Sequence, residues 1–160
     1  MSTTRRRLEA SVDEIDHAIK ELRTAIFTLT QPNDGALRDQ LLQTVSERVA
    51  VLGFRPSVTF DGVVDHLDAT IVGHATATLN EALSNVARHA RATRVDVRVR
   101  ADAVSLTIDV IDDGVGIPDD GHRGNGLANM ASRARQLGGD CEITRNADRG
   151  CTLTWHIPID

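Results

Sequence analysis

The sequence predicts an α+β fold: a two-layer sandwich with helices over a mostly antiparallel mixed sheet, preceded by an N-terminal amphipathic helix. Three observations carry this. Apolar residues step by four and three from Leu8 to Leu29. A second helical set runs Ile71, Ala75, Leu79, Ala82 and Val86. The segments "TRVDVRVRA", "AVSLTIDVID", "CEITRN" and "GCTLTWHIP" alternate with the period of strands.

In order along the chain, Leu8, Val12, Ile15, Ile19, Leu22, Ile26 and Leu29 follow a seven-residue repeat, a helix with a narrow apolar seam. Charged residues fill its other faces, so the seam needs cover, either from its own domain or from a partner helix in a dimerising hairpin. "TQPNDG", with Pro32 and Gly35, breaks the helix and separates residues 1–31 from a domain over residues 36–160. Ala36 to Leu52 carries Leu37, Leu41, Val45 and Val49 at steps of four and stops at Gly53. "PSVTFDG" alternates as a strand ending on an Asp-Gly turn. Asp68 is placed to cap the long helix that follows. The short "ADA" suits a hairpin, Leu127 to Leu137 reads as a helix closed by "GG", and a strand pair ends the chain.

Composition narrows the function. The 160 residues suffice for one domain with a core. A net charge of -5 argues against direct nucleic-acid binding, which calls for a basic face. No apolar stretch approaches the roughly 20 residues that span a bilayer, so a soluble, cytoplasmic chain without membrane contact is expected. Cys141 and Cys151 are too few for a disulfide framework and read as small core residues, on neighbouring strands where they could sit close together.

Two stretches carry chemistry. In "LNEALSNVARHA", Glu81, Asn85 and Arg88 are spaced to project from one helix face beside the apolar one. In "VIDDGVGIPDDGHRGNGLANM", Asp112 ends a strand and Gly114 and Gly116 let backbone approach a flat ligand. A carboxylate there is an acceptor for an exocyclic amine such as that of adenine. Gly124 and Gly126 precede a helix start, where free amides and the dipole favour phosphate. A nucleotide meets both demands. "GNGLAN" lacks the third glycine of a dinucleotide fingerprint, no Gly-Lys-Ser or Gly-Lys-Thr of a phosphate-binding Walker loop occurs, and Gly114 and Gly116 stand where a calcium loop needs ligands.

"NEALSNVARHA", "DDGVGIP" and "GNGLANM" together resemble the N box and two glycine boxes of the Bergerat-type ATP-binding domain shared by sensor histidine kinases, gyrase and heat-shock chaperones. The resemblance covers Ala36 to Asp160. "EALSNVARHA" and "GLANMASRARQLGG" are most similar to the nitrate-sensor group, with a narrower likeness to mycobacterial oxygen- and redox-sensing dormancy kinases. "VDEIDHAIKELRTAIFTL" resembles the second helix of that group's dimerisation hairpin.

The resemblance implies an ATP-binding catalytic domain working with ATP and Mg²⁺. Its partners would be the dimerisation and phosphoacceptor domain of the same kinase and a response regulator. Asp112 would read adenine, with Gly114 and Gly116 shaping the base pocket; Asn85 would ligate Mg²⁺. Arg88 would neutralise phosphate, with His89 adjoining it. Gly124, Gly126 and Leu127 would form the hinge and phosphate contacts, and Thr152 would lie near the base. Glu81 is the candidate catalytic carboxylate, activating water in ATPase relatives. None of the six histidines fits the group's phosphoacceptor: His17 is followed by Ala18, and the others fall elsewhere in the ATP domain. A chain starting downstream of its own acceptor, unable to autophosphorylate alone, is therefore expected. Only Ile117 to Arg123 separate Gly116 from Gly124, a short cover that implies weak nucleotide binding in isolation. An anti-sigma-type serine kinase or a non-catalytic nucleotide sensor would use the same pocket.

Overall fold

Ten elements make up the fold in a computed structural model, which describes residues 3–30, 36–62, 64, 67–115 and 125–159. They are α1 (Thr3–Thr30), α2 (Ala36–Leu52), β1 (Ser57–Gly62), α3 (Ala69–Asn85) with a π-helical turn (Val86–Ala90), β2 (Val95–Ala101), β3 (Ser105–Asp112), α4 (Asn125–Gln136), β4 (Asp140–Arg145) and β5 (Cys151–Pro158). Gly116, Gly124 and the cover from Ile117 to Arg123 lie outside the described residues.

The sheet has the order β1-β2-β3-β5-β4. β1 runs parallel to β2 and every other neighbouring pair is antiparallel. This is the mostly antiparallel mixed sheet read from the sequence. Alternation assigns its faces. Val95, Val97 and Val99, Leu106, Ile108 and Val110, and Leu153, Trp155 and Ile157 are buried under the helices. The intervening residues form a polar outer ladder, in which Arg100 pairs with Asp109 at 2.7 Å and Thr154 donates to Asp109 at 2.8 Å. At about 1.5–3 kcal/mol for each large apolar side chain taken fully from water, the inner face dominates the ladder.

α3 is the central helix of the other layer. Asp68 caps it, accepting from the Thr70 amide at 2.7 Å. Val72, Ala75, Leu79, Ala82 and Leu83 are buried, and α2 and α4 pack along its sides. α2 contributes Leu37, Leu41 and Val45 to the same core. α1 also lies against α3, yet Leu8, Val12, Ile15, Ile19 and Leu22 of its seam remain 42–62 % exposed. Among the described side chains, α1 reaches the domain through a polar contact: Glu21 pairs with Arg133 of α4 at 3.3 Å, and Arg133 approaches His74 Nδ1 at 3.5 Å.

The cysteines correct one expectation. Cys151 is paired with Arg145, and Cys141 with Trp155, so the two thiols lie at opposite ends of the β4–β5 pair. Both are free.

Leu83→Ala removes a fully buried side chain from the middle of the helix layer. Urea unfolding followed through Trp155, the chain's single tryptophan, should show a loss of about 2–5 kcal/mol.

Candidate functional site

The end of β3 meets the end of α3. Helix carbonyls in a last turn lack intrahelical donors; here the Ala90 carbonyl accepts from the Val115 amide at 2.7 Å. Gly114 fits under that junction because it has no side chain: a Cβ would come within 2.8 Å of the Ala90 Cβ and collide with the Ala90 carbonyl. Asp113 closes the other side, accepting from the Thr93 amide (2.8 Å), the Thr93 hydroxyl (2.6 Å) and the Arg94 amide (2.9 Å). These bonds hold the Asp113 carboxyl below the usual carboxylate range, the Thr93 hydroxyl foremost.

Asp112, one residue earlier, has the opposite environment. It is paired across from Val95, on the helix-facing side of the sheet, and is 8 % exposed. Burial pushes its pKa up, against bonds from the Gly114 and Cys151 amides. Gly114 donates to Oδ1 at 2.9 Å. Among the described residues these two donors leave acceptor positions on the carboxylate, as a base-reading group requires.

The other end of the site lies along α3. A Cβ on Gly126, in the first turn of α4, would run into Glu81 Oε1 and come within 3.3 Å of Asn85 Nδ2. Glu81, Asn85 and Gly126 are thus in contact range, with Leu127 beside them, half-buried. Glu81 also borders a cleft of about 480 Å³ between the helices, lined among others by His17, Glu21, Arg48, Asn80 and Arg133. Asp112, Gly114 and Thr152 are not on that cleft's wall. It adjoins the candidate site and shares Glu81 with it.

Arg88 and His89 lie side by side in the π turn. The π turn adds a residue to the helical repeat, and this breaks the step that would stack Arg88 above Asn85. Both side chains are exposed. Arg91, in the left-handed region at φ 50°, then turns the chain toward β2.

On β5, Thr152 is paired with Ile111 and so lies on the outer face, opposite Asp112. Its hydroxyl donates to Asn146 Oδ1 at 2.6 Å. Asn146 in turn donates to the Asp112 carbonyl at 3.1 Å. Thr152 therefore bears on Asp112 through the backbone. Gly150 packs against the same Asp112 and Asp113 backbone with φ +87°, where a Cβ would collide. The Arg149 guanidinium donates to the Gly114 carbonyl at 3.2 Å. Sequence reading missed Asn146, Arg149 and Gly150. Only the glycine carried a signal, as a turn residue before a strand.

Residues 73–160 match the family described as histidine kinase-, DNA gyrase B- and HSP90-like ATPases. The chain belongs to this family. Membership implies ATP binding and accounts for the helix-over-sheet architecture. The nitrate/nitrite sensor protein NarX of Escherichia coli K12 is 29% identical over 152 residues, 94% of this chain and 24% of that protein. The sensor histidine kinase LiaS of Bacillus subtilis is 34% identical over 100 residues, 61% of this chain and 26% of that protein. This ATPase-family chain thus spans about a quarter of the length of these relatives. Among solved structures, the histidine kinase domain of an Erythrobacter litoralis blue-light activated kinase superposes with a TM-score of 0.61 at 23% identity. That match covers 81% of this chain and 65% of the other. The ATP-binding domain of PrrB from Mycobacterium tuberculosis gives 0.59 at 19%, covering 76% and 93%. At these identities the likeness shows the fold.

The raised pKa of Asp112 has a signed consequence. The folded state holds that proton more tightly than the unfolded chain, so the carboxyl contributes an increasing penalty as pH rises from the ordinary carboxylate value through its folded pKa. Melting temperatures of the chain and of Asp112→Asn should therefore shift in the variant's favour between pH 3 and pH 7. Gly150→Ala should cost at least about 1 kcal/mol through its φ and the collision with Asp112, read by urea unfolding.

Proposed function

We propose that this chain is the ATP-binding catalytic part of a two-component sensor histidine kinase. It takes Mg-ATP and passes the γ-phosphoryl group to a histidine on a hairpin domain, from which a response regulator receives it. One observation carries the reading: α3 with its π turn abuts Gly114 at one end and Gly126 at the other. Ala90 meets Gly114 beside Asp112, and Asn85 and Glu81 meet Gly126. Glu81 and Ala90 are separated by roughly 13 Å of helix, enough to keep a base and its phosphates apart.

Each residue then has a role. Asp112 accepts from the adenine amine, and Gly114 with Gly116 keeps the pocket flat. Gly124, Gly126 and Leu127 present the start of α4 to the phosphates, where backbone amides and the helix dipole favour anions. Arg88 and His89, exposed on the π turn, are free to meet phosphate charge. The Asn85 amide oxygen suits Mg²⁺, a hard ion that takes oxygen ligands and shares them with phosphates. The ion neutralises phosphate charge when bound. Glu81, between Gly126 and the interhelical cleft, is positioned to take a proton from a nucleophile arriving through that cleft.

Residues 1–31 serve as the second helix of a dimerisation hairpin, and residues 36–160 as the catalytic domain. The exposed seam of α1 supports this, because such a stripe needs another helix. Work on ATP and a response regulator assigns the domain to the cytoplasm. Relatives named as a nitrate/nitrite sensor protein and a sensor histidine kinase support the same reading.

Calorimetry with Mg-ATP should give an affinity weaker than about 1 µM, a binding free energy of about 8 kcal/mol, for this chain alone. Asp112→Asn loses a charge-assisted hydrogen bond and should weaken binding by about 1.5–3 kcal/mol, tenfold or more. Asn85→Ala should abolish the difference between affinities measured with Mg²⁺ and with EDTA. Supplied with labelled ATP and a separate phosphoacceptor hairpin domain of a nitrate-sensor-type kinase, the chain should label that domain's histidine. Binding without transfer would favour a nucleotide sensor instead.

A further inference from the structure

β5 is the strand beside Asp112, and its alternation decides which residue reaches the base. Leu153, Trp155 and Ile157 are buried on the helix-facing side, and Cys151 has the same parity. Thr152, Thr154 and His156 share the outer side, where their polar atoms bond Asn146, Asp109 and Thr107 respectively. The Cys151 amide donates to the Asp112 carboxylate, and the residue is 8 % exposed, as Asp112 is. Gly150 fixes this register from behind, since its position against the Asp112 backbone admits no side chain. The thiol therefore stands next to the carboxylate assigned to adenine, on the same face of the sheet.

We propose that Cys151 forms the β5 wall of the base pocket, so that nucleotide occupancy and covalent modification of this thiol exclude one another. This rests on the nucleotide reading above. A thiol is a weak donor and acts as a small apolar surface, which suits contact with the flat face or edge of a purine. Asp112 is then the strong polar reader on this strand pair. An electrophile that adds bulk at the sulfur fills the space the base needs.

The chain carries its own control. Cys141, the only other cysteine, lies at the far end of the β4–β5 pair, and burial pushes its thiol up to about 11. Alkylation with iodoacetamide forms a carbon–sulfur bond at the thiolate and releases iodide, the thiol proton passing to water. The extent at each cysteine is read by peptide mass spectrometry. With Mg-ATP at about ten times its Kd, alkylation of Cys151 should slow about tenfold, and that of Cys141 should stay within about twofold. Protein alkylated at Cys151, with Trp155 fluorescence unchanged, should bind ATP at least about tenfold more weakly.

Equal Cys151 rates with and without saturating ATP would overturn the proposal. So would a Cys151 that reacts only in the unfolded chain, since a pocket wall is reachable when the pocket is empty. A second pair of variants covers misfolding on alkylation. Cys151→Leu should weaken ATP binding at least about tenfold, and Thr154→Val, on the outer face against Asp109, should change it less than about threefold. An effect of Cys151→Leu no larger than that of Thr154→Val would overturn the proposal. If the unmodified chain binds no Mg-ATP by calorimetry, the nucleotide reading itself fails, an outcome distinct from binding without protection.

Discussion

The hydrogen bond from the Val115 amide to the Ala90 carbonyl ties the helix layer to the outgoing end of β3, and the candidate site depends on that tie. A helix terminus leaves carbonyls in need of donors, and a strand end leaves amides in need of acceptors. Each supplies the other here. The approach is close enough to require glycine at 114, and the Asp113 clasp on Thr93 and Arg94 stops the two ends sliding past one another. The π turn belongs to the same constraint: it carries the chain to Ala90, whose carbonyl the strand end then engages.

That junction explains why two adjacent carboxylates behave differently. Asp113 faces out and its acceptor capacity is used on a loop amide pair and a hydroxyl, so its ionised form is favoured. Asp112 faces in, pays a desolvation penalty, and keeps acceptor positions for something else. A buried carboxylate whose donors among the described residues are two backbone amides is costly to the fold alone. A ligand bearing an amine offsets that cost.

Much of this was legible in the sequence, because the elements follow periodicity. The α3 face, the Asp68 cap, the Asp102–Val104 hairpin and the alternating strands all emerge where apolar spacing or turn chemistry marks them. Asp112 and its glycines were likewise visible as a strand end followed by permissive backbone. The π turn was not, since no composition in "VARHA" distinguishes a five-residue turn from an α-helical one. Thr152 was expected near the base from the resemblance; strand parity assigns its side chain to the outer face, and the alternation of Cys151, Leu153, Trp155 and Ile157 carries that information. Asn146 and Arg149 reach Asp112 and Gly114 through a loop whose path only the fold defines.

The attachment of α1 is decided by magnitudes. The Glu21–Arg133 pair is part-exposed, and such pairs contribute about 0–1 kcal/mol. The His74 imidazole beside it has its pKa lowered by burial and by Arg133, so it adds little charge at neutral pH. Against this stand Leu8, Val12, Ile15, Ile19 and Leu22, each about half exposed. Covering them returns about 1 kcal/mol apiece, several times the polar contact. The seam therefore outweighs the ion pair in deciding where α1 rests. Because Arg133 lies two turns beyond Gly126 on α4, whatever covers the seam also bears on the helix whose first turn meets Glu81 and Asn85.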